Sequence, residues 1–147
     1  MDAVVARLVP PTRPATVDTV VERAATEAGM AIRVVPAVER GTDLSGLVVT
    51  STAGRLGIIF APADARTDYQ LYIVGHELWH LIRRHTCSRT AWTAEYTSRW
   101  AAWRSRRREA ACDRFAQRLG LAVRRNQQRA SHPIARIMLD EAFGVRP

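Results

Sequence analysis

Residues 64–84 read Asp-Ala-Arg-Thr-Asp-Tyr-Gln-Leu-Tyr-Ile-Val-Gly-His-Glu-Leu-Trp-His-Leu-Ile-Arg-Arg. Leu71, Val74, Gly75, Leu78, Leu81 and Ile82 recur at spacings of three and four, the period of one helix face laid on a core. The spacing predicts a helix from about Asp64 to Arg84, with Asp64 or Thr67-Asp68 near its start. Within it lies His76-Glu77-Leu78-Trp79-His80. Two histidines four apart project from the same helix face, with Cβ atoms roughly 5–6 Å apart, so both imidazoles can reach one metal ion. Zinc accepts nitrogen ligands and keeps an open position when three protein groups bind it. Glu77, beside the pair, can take a proton from a water that the metal activates. A chance pair of histidines on an amphipathic helix is the bland alternative. The mid-helix position and the use of two of the chain's four histidines favour the metal.

Two histidines leave such a site incomplete. Glu109 is the best candidate for the third ligand, because Glu109-Ala-Ala-Cys-Asp113 places two carboxylates one helical turn apart. Glu109 can bind the ion while Asp113 orients a ligand histidine through its other ring nitrogen. A surface pairing of Glu109 with Arg106 is the competing explanation, but Ala110, Ala111, Phe115 and Ala116 point to a packed helix end. Cys112, three residues from Glu109, can also approach the metal as a thiolate, although a small buried cysteine is the commoner role. His85, five residues after His80, points off the shared face, and His132 stands next to Pro133 in an expected loop.

Upstream, Pro10, Pro11 and Pro14 predict an extended segment over residues 1–14. A single domain over 15–147 follows. Val17, Val20, Val21, Ala24, Ala25 and Ala28 predict a helix from near Thr16, closed by Gly29. Ala31 to Val35 reads as a short strand stopped by Pro36, and residues 37–45 as a loop. Leu47 to Thr50 and Leu56 to Phe60 read as a hairpin, with Gly54 supplying the positive φ. Downstream, a long helix is expected from about Thr90 to Leu119, ended by Gly120, with Trp92, Tyr96, Trp100 and Trp103 on one face. Such a stripe is usually packing or a partner surface. A last short helix is expected around Ile134 to Phe143. The order is helix, small antiparallel sheet, then helices, an α+β layout.

The chain has 147 residues, enough for one domain with a real core and too few for two full ones. A hydrophobic share of 47% and a charged share of 24% are ordinary for a globular protein. No apolar run reaches the roughly 18 residues that would cross a bilayer, and the first residues lack a signal-peptide pattern. A cytoplasmic protein with no membrane partner is expected. With only Cys87 and Cys112, no disulfide is expected. The net charge is +8 and all 22 basic residues are arginine, a compositional habit that weakens any argument from arginine abundance. The charge admits nucleic acid or an acidic partner, but a solvated basic surface explains it as well.

With these motifs in hand, the sequence resembles the ImmA/IrrE family of metallo-endopeptidases. The likeness rests on His-Glu-Leu-Trp-His at 76–80 in a helix preceded by a hairpin. It is joined by Glu109-Ala-Ala-Cys-Asp113-Arg-Phe115-Ala116, similar to that family's downstream glutamate helix. It covers most of the chain, from about Thr16 to Leu119. The resemblance implies zincin-like active-site helices and a gluzincin-like zinc peptidase, with His76, His80 and Glu109 as ligands to Zn2+ and Glu77 as general base. It further implies a protein substrate such as a helix-turn-helix transcriptional repressor, and a setting in mobile elements or stress responses. Trp79 stands where the family often has glycine, and Cys112 where alanine is typical. The oxyanion donor is left open among Tyr96, Tyr72 and the arginines near 104–108. The competing expectation is a non-enzymatic protein that binds a partner or nucleic acid and retains a zinc site.

Overall fold

Thr16 opens the first long helix with a reciprocal cap. Its hydroxyl accepts from the Thr19 N–H at 3.2 Å, and the Thr19 hydroxyl accepts from the Thr16 N–H at 2.9 Å. Gly29 closes that helix at φ 66°, in the left-handed region that costs glycine little. The structure, a computed structural model, describes residues 1–37, 47–51, 53, 55–62, 65–85 and 99–131, with the backbone alone at 99–102. Its elements are α1 (Asp2–Leu8), α2 (Val17–Ala28), β1 (Ala31–Ala37), β2 (Leu47–Thr50), β3 (Leu56–Pro62), α3 (Thr67–Ile82) and α4 (Arg99–Ser131). The class is α+β, as the sequence predicts.

Four details differ from expectation. Residues 1–14 are not wholly extended, since Asp2–Leu8 form α1. The prolines begin only at position 10, and the preceding turns bury Val5 and Leu8 on one face. Ion pairs from Arg7 to Glu27 and from Arg118 to Asp2 hold α1 against α2 and α4. Next, the sheet is mixed and not purely antiparallel. β2 pairs antiparallel with β3, as the hairpin predicts, but β1 joins the other side of β3 in parallel, giving the order β1-β3-β2. Third, β1 runs through Pro36 to Ala37. It is an edge strand, where a missing N–H need not cost a ladder bond.

Finally, α4 does not stop at Gly120 but continues to Ser131. An interior glycine costs a helix roughly 1 kcal/mol. Burial of Leu119, Val123 and Asn126 on either side offsets that. The buried Asn126 carboxamide accepts from the Ala15 N–H at 2.8 Å and donates to the carbonyls of Pro10 and Arg13. It thereby clips the proline-rich segment onto α4. The hairpin glycine at 54, the residues expected to open the third helix and the expected last helix lie outside the described residues.

The contact that matters for the site is α3 on α4. Gly75 faces Ala116 so closely that an added Cβ would come within 3.2 Å of the Ala116 Cα. One turn along, Trp79 stacks on Phe115 with centroids 4.4 Å apart. Trp79 is thus a buried wedge between the helices, carrying the Arg83 guanidinium 5.7 Å above its ring. α3 ends with Arg84 at φ 50°, where the His85 N–H returns to the His80 carbonyl at 2.9 Å and the Arg84 N–H to Leu81 at 3.0 Å. This Schellman turn folds His85 back beside His80.

Candidate metal centre

The row of α3 that faces α4 carries Tyr72, His76 and His80 at successive intervals of four, so consecutive turns aim them the same way. α4 answers with Glu109 and Asp113, also four apart. The Nε2 atoms of His76 and His80 lie 3.3 Å apart. Glu109 Oε2 is 3.2 Å from the first and 3.5 Å from the second. Three donors at about 2.0–2.2 Å from one tetrahedral ion would be separated by roughly 3.3–3.5 Å. The donor spacing fits such an ion, and two imidazoles with one carboxylate are a set that zinc accepts.

The other nitrogen of His76 is committed elsewhere. Nδ1 lies 2.9 Å from Asp113 Oδ1, and the Tyr72 hydroxyl donates to the same oxygen at 2.8 Å. Both carboxylates accept only, so Nδ1 donates to Asp113 and Nε2 to Glu109; with Nδ1 held by Asp113, Nε2 is the nitrogen that would give up its proton to an ion. Asp113 therefore stands beside the His76 nitrogen that faces away from His80 and Glu109. Tyr72 thereby joins Asp113 and His76 in one hydrogen-bonded chain. Burial and the Asp113 bond push its phenol up to about 12.

The ionisable groups shift together. Hydrogen bonds from His76 and then His80 hold the Glu109 carboxyl far below its usual range. Burial opposes charge on His76, but its bonds to Glu109 and Asp113 and the nearness of Glu77 prevail and raise its pKa. Glu77, half-buried, is pushed up mainly by burial and held back by the two histidines. Burial likewise raises the Cys112 thiol.

Cys112 is a free thiol, fully buried, whose Sγ lies with nitrogens of His76 and His80 in a group no more than 4.8 Å across. Two sets of donors therefore share the histidine pair: one with Glu109, which is exposed, and one with Cys112, which is buried. Glu109 Oε2 lies within 3.5 Å of both imidazoles, a distance that would let it act as a third ligand. His85 stands edge-on to His80 with centroids 5.2 Å apart, outside either set. Arg104, Arg106, Arg107 and Arg108 are exposed on α4, and Arg107 covers Trp103 at 4.7 Å. Cys87, Trp92, Tyr96 and His132 lie outside the described residues, as does the side chain of Trp100.

The role of Tyr72 was not anticipated. Its signal was present, since Tyr72 precedes His76 by four residues and so shares its face. Among the described residues, no helix is long and apolar enough to cross a membrane. Compared with known proteins, the chain matches no family model, no curated protein and no solved structure.

Proposed function

We propose that the chain is a zinc-dependent endopeptidase of the HExxH type, related to the ImmA/IrrE metallo-endopeptidases that its two motifs resemble. The observation that carries this reading is the pairwise spacing of His76 Nε2, His80 Nε2 and Glu109 Oε2, all between 3.2 and 3.5 Å. Zinc, when bound there, supplies a Lewis acid that lowers the pKa of water toward about 7 and polarises a carbonyl.

The chain's own groups do the rest. Asp113 fixes the tautomer and plane of His76 and raises its basicity, and Tyr72 fixes Asp113. Glu109 contributes negative charge and the third donor. Glu77 follows His76 directly, and burial raises its affinity for a proton, as a general base needs. It accepts the proton of the attacking water and returns it to the leaving amine. The substrate is a protein, and a helix-turn-helix repressor in the cytoplasm is the choice that the resemblance favours.

A non-enzymatic metal protein is the second reading, and the nearness of Cys112 to the histidine pair favours it, because a fourth protein ligand would close the shell. Glu77→Gln separates the two. A peptide library incubated with zinc-loaded protein should be cleaved by the parent chain and left intact by the variant at equal zinc content. Equal cleavage by both would remove Glu77 from the chemistry, and no cleavage by either would favour the closed metal protein.

A further inference from the structure

His76, His80 and Glu109 account for an open site, yet the structure places a fourth donor behind them. Cys112 follows Glu109 by three residues on α4, so one helical turn brings a carboxylate and a thiol to the same pair of imidazoles. The two differ in kind. The Glu109 side chain is 52% exposed, whereas Cys112 is 0% exposed. Oxygen donors suit hard ions, and thiolate selects soft ones.

We propose that Cys112 is a reserve ligand to the ion held by His76 and His80, one that soft divalent cations draw into the coordination shell. Around a tetrahedral ion with sulfur at about 2.3 Å and nitrogen at about 2.0–2.1 Å, the sulfur stands roughly 3.5 Å from each nitrogen. The present separations reach no more than 4.8 Å, so the shortfall is about 1.3 Å at most. A turn of roughly 45° about the cysteine's single χ1 bond moves the sulfur that far, part of the way between staggered wells. When the sulfur lone pair forms the new bond, a metal–oxygen bond to solvent or to Glu109 breaks, and the thiol proton leaves with solvent. No oxidant or reductant is needed.

With sulfur added, His76, His80 and Cys112 supply three protein donors, and the fourth position goes to Glu109 or to solvent. The thiol is then a ligand engaged by cadmium-like ions and released by harder ones. This inference rests on the metal-binding half of the proposed function and is independent of hydrolysis.

The test is cadmium bound to the full-length chain. One equivalent should produce the ultraviolet charge-transfer band of a cadmium–thiolate bond, and X-ray absorption should find one sulfur neighbour. The band should vanish in Cys112→Ser and His76→Ala and persist in Cys87→Ser. Bound cadmium with only oxygen and nitrogen neighbours in the parent protein would overturn the proposal and leave the peptidase reading standing. A band lost in Cys87→Ser but kept in Cys112→Ser would overturn it too. Failure to bind cadmium at all would overturn both this inference and the metal centre. X-ray absorption of Cys87→Ser, where Cys112 is the one cysteine left, decides the matter even should Cys112→Ser not fold.

Discussion

His76 Nδ1 and Asp113 Oδ1 stand 2.9 Å apart, joining two helices whose residues are 37 positions apart in the chain. The bond decides which nitrogen of the imidazole is left to an ion, and so links the packing of α3 on α4 to the chemistry of the site.

Loss of that bond should therefore be read in metal affinity. Asp113→Ala should weaken zinc binding about 10- to 100-fold, the usual effect of removing the partner of a ligand histidine. Tyr72→Phe acts only through Asp113 and removes one hydrogen bond, so it should cost about 2- to 10-fold. Competition with a chelating dye measures both. An equal or larger loss for Tyr72→Phe would contradict the relay.

The spacing between α3 and α4 should matter as much as the ligands. A side chain at Gly75 meets the Ala116 backbone at 3.2 Å, and backbone cannot swing aside. Gly75→Val should destabilise the fold by about 1–3 kcal/mol and also weaken zinc binding, because Glu109 and Asp113 move with α4. A thermal melt with a zinc titration checks both.

Asn126 provides the contrast. It bonds Ala15, Pro10 and Arg13, far along α4 from Glu109. Asn126→Ala should cost about 1–3 kcal/mol by leaving buried partners unmet, with zinc affinity unchanged. Calorimetry and the same dye competition measure it, and a matching fall in affinity would count against a purely structural role.

The pH dependence of the metal-free chain follows from the two opposed shifts. The lowered Glu109 pKa gives stability that is present above its ordinary value of 4.5 and lost as pH falls. The raised His76 pKa gives stability that is present below 6.5 and lost as pH rises through the folded value. Metal-free protein should thus melt highest between these values and lower at pH 8. Excess zinc should reverse the order, because ligands must shed protons to bind it. Melting curves at pH 5.5 and 8, with and without zinc, check the sign.

Much of the site was legible because its parts are local. The pairs His76/His80 and Glu109/Asp113 each lie four apart on a helix, and that spacing alone aims them. Their meeting depends on the Gly75–Ala116 approach, which no periodicity within either helix reveals. The parallel pairing of β1 with β3 is likewise non-local, since Ala31 opposite Leu56 leaves no mark on either strand's pattern. Gly120 misled because a glycine offers a stop without requiring one, and burial of Leu119 and Val123 carries α4 onward. α1 was hidden by the prolines that follow it.

The most direct measurement is a crystal structure of zinc-loaded protein with anomalous data at the metal edge. The expected result is one zinc bound by His76 Nε2, His80 Nε2 and Glu109 at about 2.0–2.2 Å, with solvent in the fourth position and Asp113 still on His76 Nδ1. Zinc found elsewhere, or held there without Glu109, would contradict the account.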